Sequence, residues 1–210
     1  MHSAMTAAAI LIGALSMVST TAGAQDRMPP IPADKLTDAQ KKAIEEFKAA
    51  RSVDISGPFV PLLRSPEVLS RARALSDYLR YRSVLPPRLS EFVILMTARQ
   101  WTQNYEWTAH APLALKGGLS ADTIKAIAEG RRPARMAEDE DILYTFCDEL
   151  ARNHAVSDAT YARAVGKFGE QGVIDTIGLT GYYTMIAMVL NTARTPLPAG
   201  AQPVLTPTTR

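Results

Sequence analysis

Apolar positions along this chain recur at helical spacing, and no run alternates in the manner of a strand. Thr37 opens the first element as a capping-box residue with Gln40, and Ala43, Ile44, Phe47 and Ala50 follow on one face. Ser56-Gly57-Pro58 breaks the chain. Ser65-Pro66-Glu67 predicts the next start, with Ser as cap, Pro in the first turn and an acid at the positive end of the dipole. Val68, Leu69, Ala72, Leu75 and Leu79 make its stripe. After Pro86 and Pro87, the pattern predicts a mostly apolar helix over 89–101 and another over 104–116, which Gly117-Gly118 stops. Ser120 caps a short helix that ends at Gly130. Residues 138–152 place Ile142, Leu143, Phe146 and Leu150 on one side, with acids early and Arg152 late. Ser157 caps a further helix to Phe168.

The segment 170–193 carries no charge after Asp175 and is apolar almost all round, so it is expected to be buried on more than one side. Its Thr, Tyr, Gly and Asn content argues against a membrane span. The predicted class is all-α, with one helical domain over 37–198. Before it, Pro29, Pro30 and Pro32 make 25–36 an extended leader. After it, the Pro-rich residues 199–210 show no core-forming pattern and read as a flexible tail. Residues 1–24 contain no Asp, Glu, Lys or Arg, and Ala7 to Val18 is apolar. With Ala22-Gly23-Ala24 in the small-x-small form of a cleavage site, they read as a signal peptide, which predicts a periplasmic or secreted protein with no membrane span after cleavage.

Composition adds exclusions. The 210 residues are 47% hydrophobic and 21% charged, an ordinary globular mix. A formal net charge of +2 with scattered basic residues gives no footprint for nucleic acid. Cys147 is the only cysteine, so neither an internal disulfide nor a CxxC motif exists.

Three polar residues stand out by position. Glu91 sits inside an apolar helix, where burial raises a carboxyl pKa unless a cation or donor stabilises the charge. Glu106 and His110 lie four apart, on one helix face, so that the carboxylate can orient the imidazole. The structural alternatives are an arginine partner for Glu91, such as Arg88 or Arg99, and a chance Glu–His pair. A metal site of two carboxylates and one histidine is the weaker option, since a fourth ligand is missing. Trp101 and Trp107 default to core, Cys147 to a small buried hydrophobe, and Tyr182 and Tyr183 to packing with satisfied hydroxyls.

The stretch from Glu91 to Ala98, followed by Tyr105-Glu106-Trp107-Thr-Ala-His110 and Gly118-Leu119-Ser120, resembles the core of the carboxymuconolactone decarboxylase family, which includes the alkylhydroperoxidase D-like proteins. Phe168-Gly169-Glu170-Gln171-Gly172 and the Gly181 to Asn191 segment are similar to its C-terminal half. The resemblance implies an all-helical domain of the alkylhydroperoxidase D-like type that forms homo-oligomers, trimers or hexamers. It implies that Glu91 and His110 match a proton relay. The two cysteine positions of the peroxidase branch are taken by Gln103 and Glu106, so thiol peroxidase chemistry is not expected. A cofactor-free, metal-free carboxy-lyase or isomerase acting on a small carboxylated or lactone substrate is then the leading expectation. His110, Glu91 and Glu106 are its candidate catalytic residues, and Arg99, Arg88, Tyr105 and Trp107 its candidate substrate contacts. Another proton-transfer or hydrolytic enzyme, or an oligomeric binding protein without activity, stays open.

Overall fold

A computed structural model of the chain describes residues 25–207; the signal-peptide expectation for 1–24 lies outside them. Among the described residues all regular structure is helical: α1 (Asp38–Arg51), α2 (Phe59–Leu62), α3 (Pro66–Tyr81), α4 (Pro87–Gln100), α5 (Asn104–Lys116), α6 (Ala121–Ala128), α7 (Glu138–Asn153) and α8 (Asp158–Ala193), with a 3-10 turn at Ala33–Lys35 before them.

The cap residues act largely as their chemistry predicts. The Thr37 hydroxyl accepts from the Gln40 amide at 3.2 Å while the Gln40 side chain accepts from the Thr37 amide at 3.0 Å. Ser120 and Ser157 accept from Thr123 and Thr160. Ser65 differs, because its side chain caps nothing and its own amide donates to Leu62. The single turn α2, with Pro61 inside its first turn, runs directly into α3 and supplies that start.

α4 is the centre of the architecture. Every residue from Leu89 to Arg99 is buried, and α3, α5, α6, α7 and α8 all pack on it. The helix therefore has no solvated face, which is why its sequence lacks an amphipathic stripe. α8 breaks at Gly169, whose φ of 68° and ψ of 171° depart from the helix and favour a residue without Cβ. By length and composition α8 is apolar enough to cross a membrane. Its Leu179, Tyr182, Tyr183, Ile186 and Leu190 side chains are instead part of the main core.

Both chain ends are docked rather than free. In the leader, the Arg27 amide donates to Ala193 at 2.7 Å and the Arg64 guanidinium to the Pro29 carbonyl at 2.8 Å. The tail corrects the expectation of flexibility over 199–210, at least to Thr206. The Asn104 side chain accepts from the Val204 and Leu205 amides at 2.8 and 2.7 Å and donates to the Leu205 carbonyl at 3.0 Å. Leu205 is only 3% exposed, within the main core. One apolar side chain has no period, so nothing in the pattern announces the anchor.

Leu205→Ala is expected to cost about 2–4 kcal/mol, as for other buried leucines. Urea denaturation measures this, and an unchanged midpoint would mean that the tail is not seated.

Candidate active site

Four helices bring one polar cluster together inside the core. α4 supplies Glu91, α5 supplies Glu106 and His110, α3 supplies Arg80, and α8 lays Tyr183 edge-on against the imidazole at 5.1 Å. His110 Nδ1 lies 2.6 Å from Glu91 Oε2, and the Arg80 guanidinium donates to Glu91 Oε1 at 3.4 Å. Glu91 thus serves two partners. When Glu91 accepts at that contact, the proton sits on Nδ1 and Nε2 is left for other partners. Nε2 faces Glu106 Oε2 at 3.6 Å, close enough for electrostatic attraction but too long for a hydrogen bond.

His110, Glu106, Arg80 and Tyr183 border a cavity of about 220 Å³. His110, Glu106 and Tyr105 line one side; Arg80, Ser76 and Arg51 line another, and Tyr182 and Tyr183 contribute from α8. The segment between α1 and α2 forms the remaining wall. Gly57 is required there: its φ is +56°, and a Cβ would stand 2.7 Å from the Tyr105 hydroxyl. Arg51 is held by Asp77 at 2.8 Å and lies over the Phe47 and Phe59 rings. A volume below the usual range for drug-sized ligands suits a small metabolite.

Burial sets the electrostatics. It pushes the Glu106 carboxyl up, as does Glu91, against the opposing pull of His110 and Arg80. Burial likewise raises the Tyr183 hydroxyl well above its ordinary value and moves Tyr182 up to about 12. Burial works against the Arg80 charge, yet Tyr183, Tyr81 and Glu91 outweigh it and the guanidinium pKa is raised. Arg80 is therefore a permanent cation at the cavity wall.

The structure joins Glu106, His110 and Tyr105 at this cavity; Glu91 touches His110 but borders a separate cavity with Arg80 and Arg88, and the other expected contacts lie apart from the His110 cavity. Arg99 donates to the Ala128 and Thr206 carbonyls and the Thr102 hydroxyl, and so anchors the tail. Arg88 is engaged by Asp139 and Glu140 at the start of α7. Neither lines the His110 cavity, so Arg80 and Arg51 replace them as its cations. Trp107 is a core residue, 3% exposed. The signal for Arg80 was Ser76, a polar residue at a stripe position of α3, four before the arginine.

The carboxylates of Glu91 and Glu106 meet opposite nitrogens of the imidazole, so they do not converge on one point. Among the described residues no cluster of three His, Cys, Asp or Glu side chains has the arrangement of a metal site. Gln103 is the N-terminal cap of α5, accepting from the Tyr105 amide at 2.7 Å and donating to Asn191 at 2.8 Å. Cys147 lies apart, 1% exposed on α7.

Residues 66–138 match the model of the Carboxymuconolactone decarboxylase family. The matched stretch runs from the start of α3 to the start of α7 and includes Arg80, Glu91, Glu106 and His110. No curated protein matches the chain.

Burial pushes the Cys147 thiol up to about 12. At neutral and mildly basic pH the folded protein therefore holds almost no thiolate there, whereas an unfolded chain ionises near the ordinary value of about 8.5. Ellman's reagent at pH 8 is expected to label Cys147 only after denaturation. Rapid labelling of folded protein would contradict the buried placement.

Proposed function

We propose that this chain, whose residues 66–138 are of the carboxymuconolactone decarboxylase family, is a cofactor-free lyase or isomerase that moves a proton on a small carboxylated or lactone substrate. The observation that supports this most directly is the 2.6 Å contact of His110 Nδ1 with Glu91, which occupies that nitrogen and leaves Nε2 for a ligand in the cavity that His110 lines. Arg80 and Arg51 hold the substrate carboxylate that is retained. The C–C bond to a second carboxylate breaks and CO2 leaves. Its electron pair passes into the conjugated carbonyl system, and His110 Nε2 delivers a proton to carbon. Glu91, backed by Arg80, stabilises the imidazolium that exists before delivery. Thiol peroxidase chemistry has no support, since Gln103 and Glu106 stand at the positions that would carry its cysteines and Cys147 is sealed.

Export and self-assembly belong to the same proposal. The first rests on the charge-free residues 1–24. The second is supported by apolar side chains left open where α3 and α8 meet: Tyr81 is 67% exposed and Ile174 65%. A single-chain mass in analytical ultracentrifugation would remove the second.

The test is CO2 release from gamma-carboxymuconolactone by the wild type and by His110→Ala. A folded His110→Ala protein is expected to lose about 10²–10⁴-fold in turnover, the usual worth of a positioned acid–base group. Absence of release by the wild type from mildly acidic to mildly basic pH would reject this substrate.

A further inference from the structure

Among the described residues four buried side-chain polar atoms have no hydrogen-bond partner: Arg80 Nε, Ser83 Oγ, Glu106 Oε2 and Thr195 Oγ1. Two of them belong to residues that line the His110 cavity, one a cation and the other a carboxyl. Buried polar atoms are rarely left unpaired, because each forfeits its hydration without return. An unpaired donor and an unpaired carboxyl oxygen in the wall of one small cavity leave hydrogen-bonding capacity that a ligand bound there can take up.

The two carboxyls of the cluster are not equivalent. Glu91 receives the Arg80 guanidinium on one oxygen and the His110 Nδ1 proton on the other. Glu106 is 3% exposed, and its Oε2 receives nothing. The charged and titratable groups around it are Arg80 on α3, Glu91 on α4, Tyr105 and His110 on α5, and Tyr182 and Tyr183 on α8; Arg51 on α1 lines the same cavity. Arg80, the nearest permanent cation, is already engaged by Glu91. An imidazolium at His110 would offer its Nε2 proton across 3.6 Å, beyond hydrogen-bond reach. Arg80 and, when protonated, His110 are the cations within reach of two carboxyls; Glu91 takes a hydrogen bond from Arg80 and contacts His110 Nδ1, and burial favours the neutral form of Glu106, whose Oε2 accepts none.

We propose that Glu106 is a carboxylic acid held neutral at physiological pH, and that it donates a hydrogen bond to the oxyanion that develops on the substrate. This rests on the proton-transfer reading of the site and deepens it. His110 Nε2 carries the proton that reaches carbon. The Glu106 proton stays on its oxygen and strengthens its hydrogen bond as negative charge builds on the substrate's carbonyl oxygen. A neutral buried acid suits that role, since its donor is positioned in advance and brings no charge that repels the anion. The substrate class that follows carries a carboxylate for Arg80 and an enolisable carbonyl for Glu106.

Two readouts independent of turnover test it. Infrared spectra at neutral pH are expected to show a protonated carboxylic acid band in the wild type that is gone in Glu106→Gln. If Glu106→Gln does not fold, ¹³C labelling of glutamate carboxyls in the unaltered chain shows whether a glutamic acid band exists, and its loss in Glu106→Met assigns it. The second readout uses 4-nitrophenolate as an oxyanion probe. Glu106→Gln keeps a neutral donor and is expected to bind it much as the wild type does. Glu106→Met, of similar size without a donor, is expected to bind it roughly ten- to a hundredfold more weakly. A missing acid band, a large gain of affinity in Glu106→Gln, or no binding by the wild type would each overturn the assignment. The gain would mean that a negative charge had been removed. Failure to decarboxylate gamma-carboxymuconolactone would leave both readouts intact.

Discussion

The structure depends on one costly residue. Glu91 lies in the second turn of α4, within its buried stretch from Leu89 to Arg99, and a carboxylate there is tolerable only if other elements bring it partners. α3 brings Arg80 and α5 brings His110. The requirement that both reach one carboxylate ties the three helices to a common level, and breaking such a buried pair typically costs several kcal/mol. The polar cluster is therefore a packing constraint before it is a site. The cavity lies beside His110 and Tyr183 and under the segment that Gly57 lets pass close to Tyr105.

Much of this was legible in the sequence. The capping box at Thr37, the caps at Ser120 and Ser157 and the break between Phe168 and Glu170 are local chemistry, and local chemistry is written in adjacent residues. The contrast between Glu91 and its apolar neighbours, and the spacing of Glu106 and His110, were enough to pick out the three members of the buried polar cluster. What failed was the choice of cation. Arg99 is two turns from Glu91, which puts both on related faces of α4, yet that separation is about 12 Å along the axis. A guanidinium so placed reaches the α6 terminus and the tail instead. Arg80 belongs to another helix, and no spacing rule connects positions on separate elements. The same limit hid the tail anchor: Asn104 and Leu205 meet across nearly half the chain.

Charge counting around the cavity connects fold and chemistry. Arg51 and Arg73 share the single carboxylate of Asp77, while Arg80 balances Glu91. With Glu106 neutral, three guanidinium groups face two carboxylates, and an imidazolium at His110 adds a further positive charge. The wall is therefore cationic overall, and the ion pairs set by Asp77 and Glu91 match it to an anionic ligand.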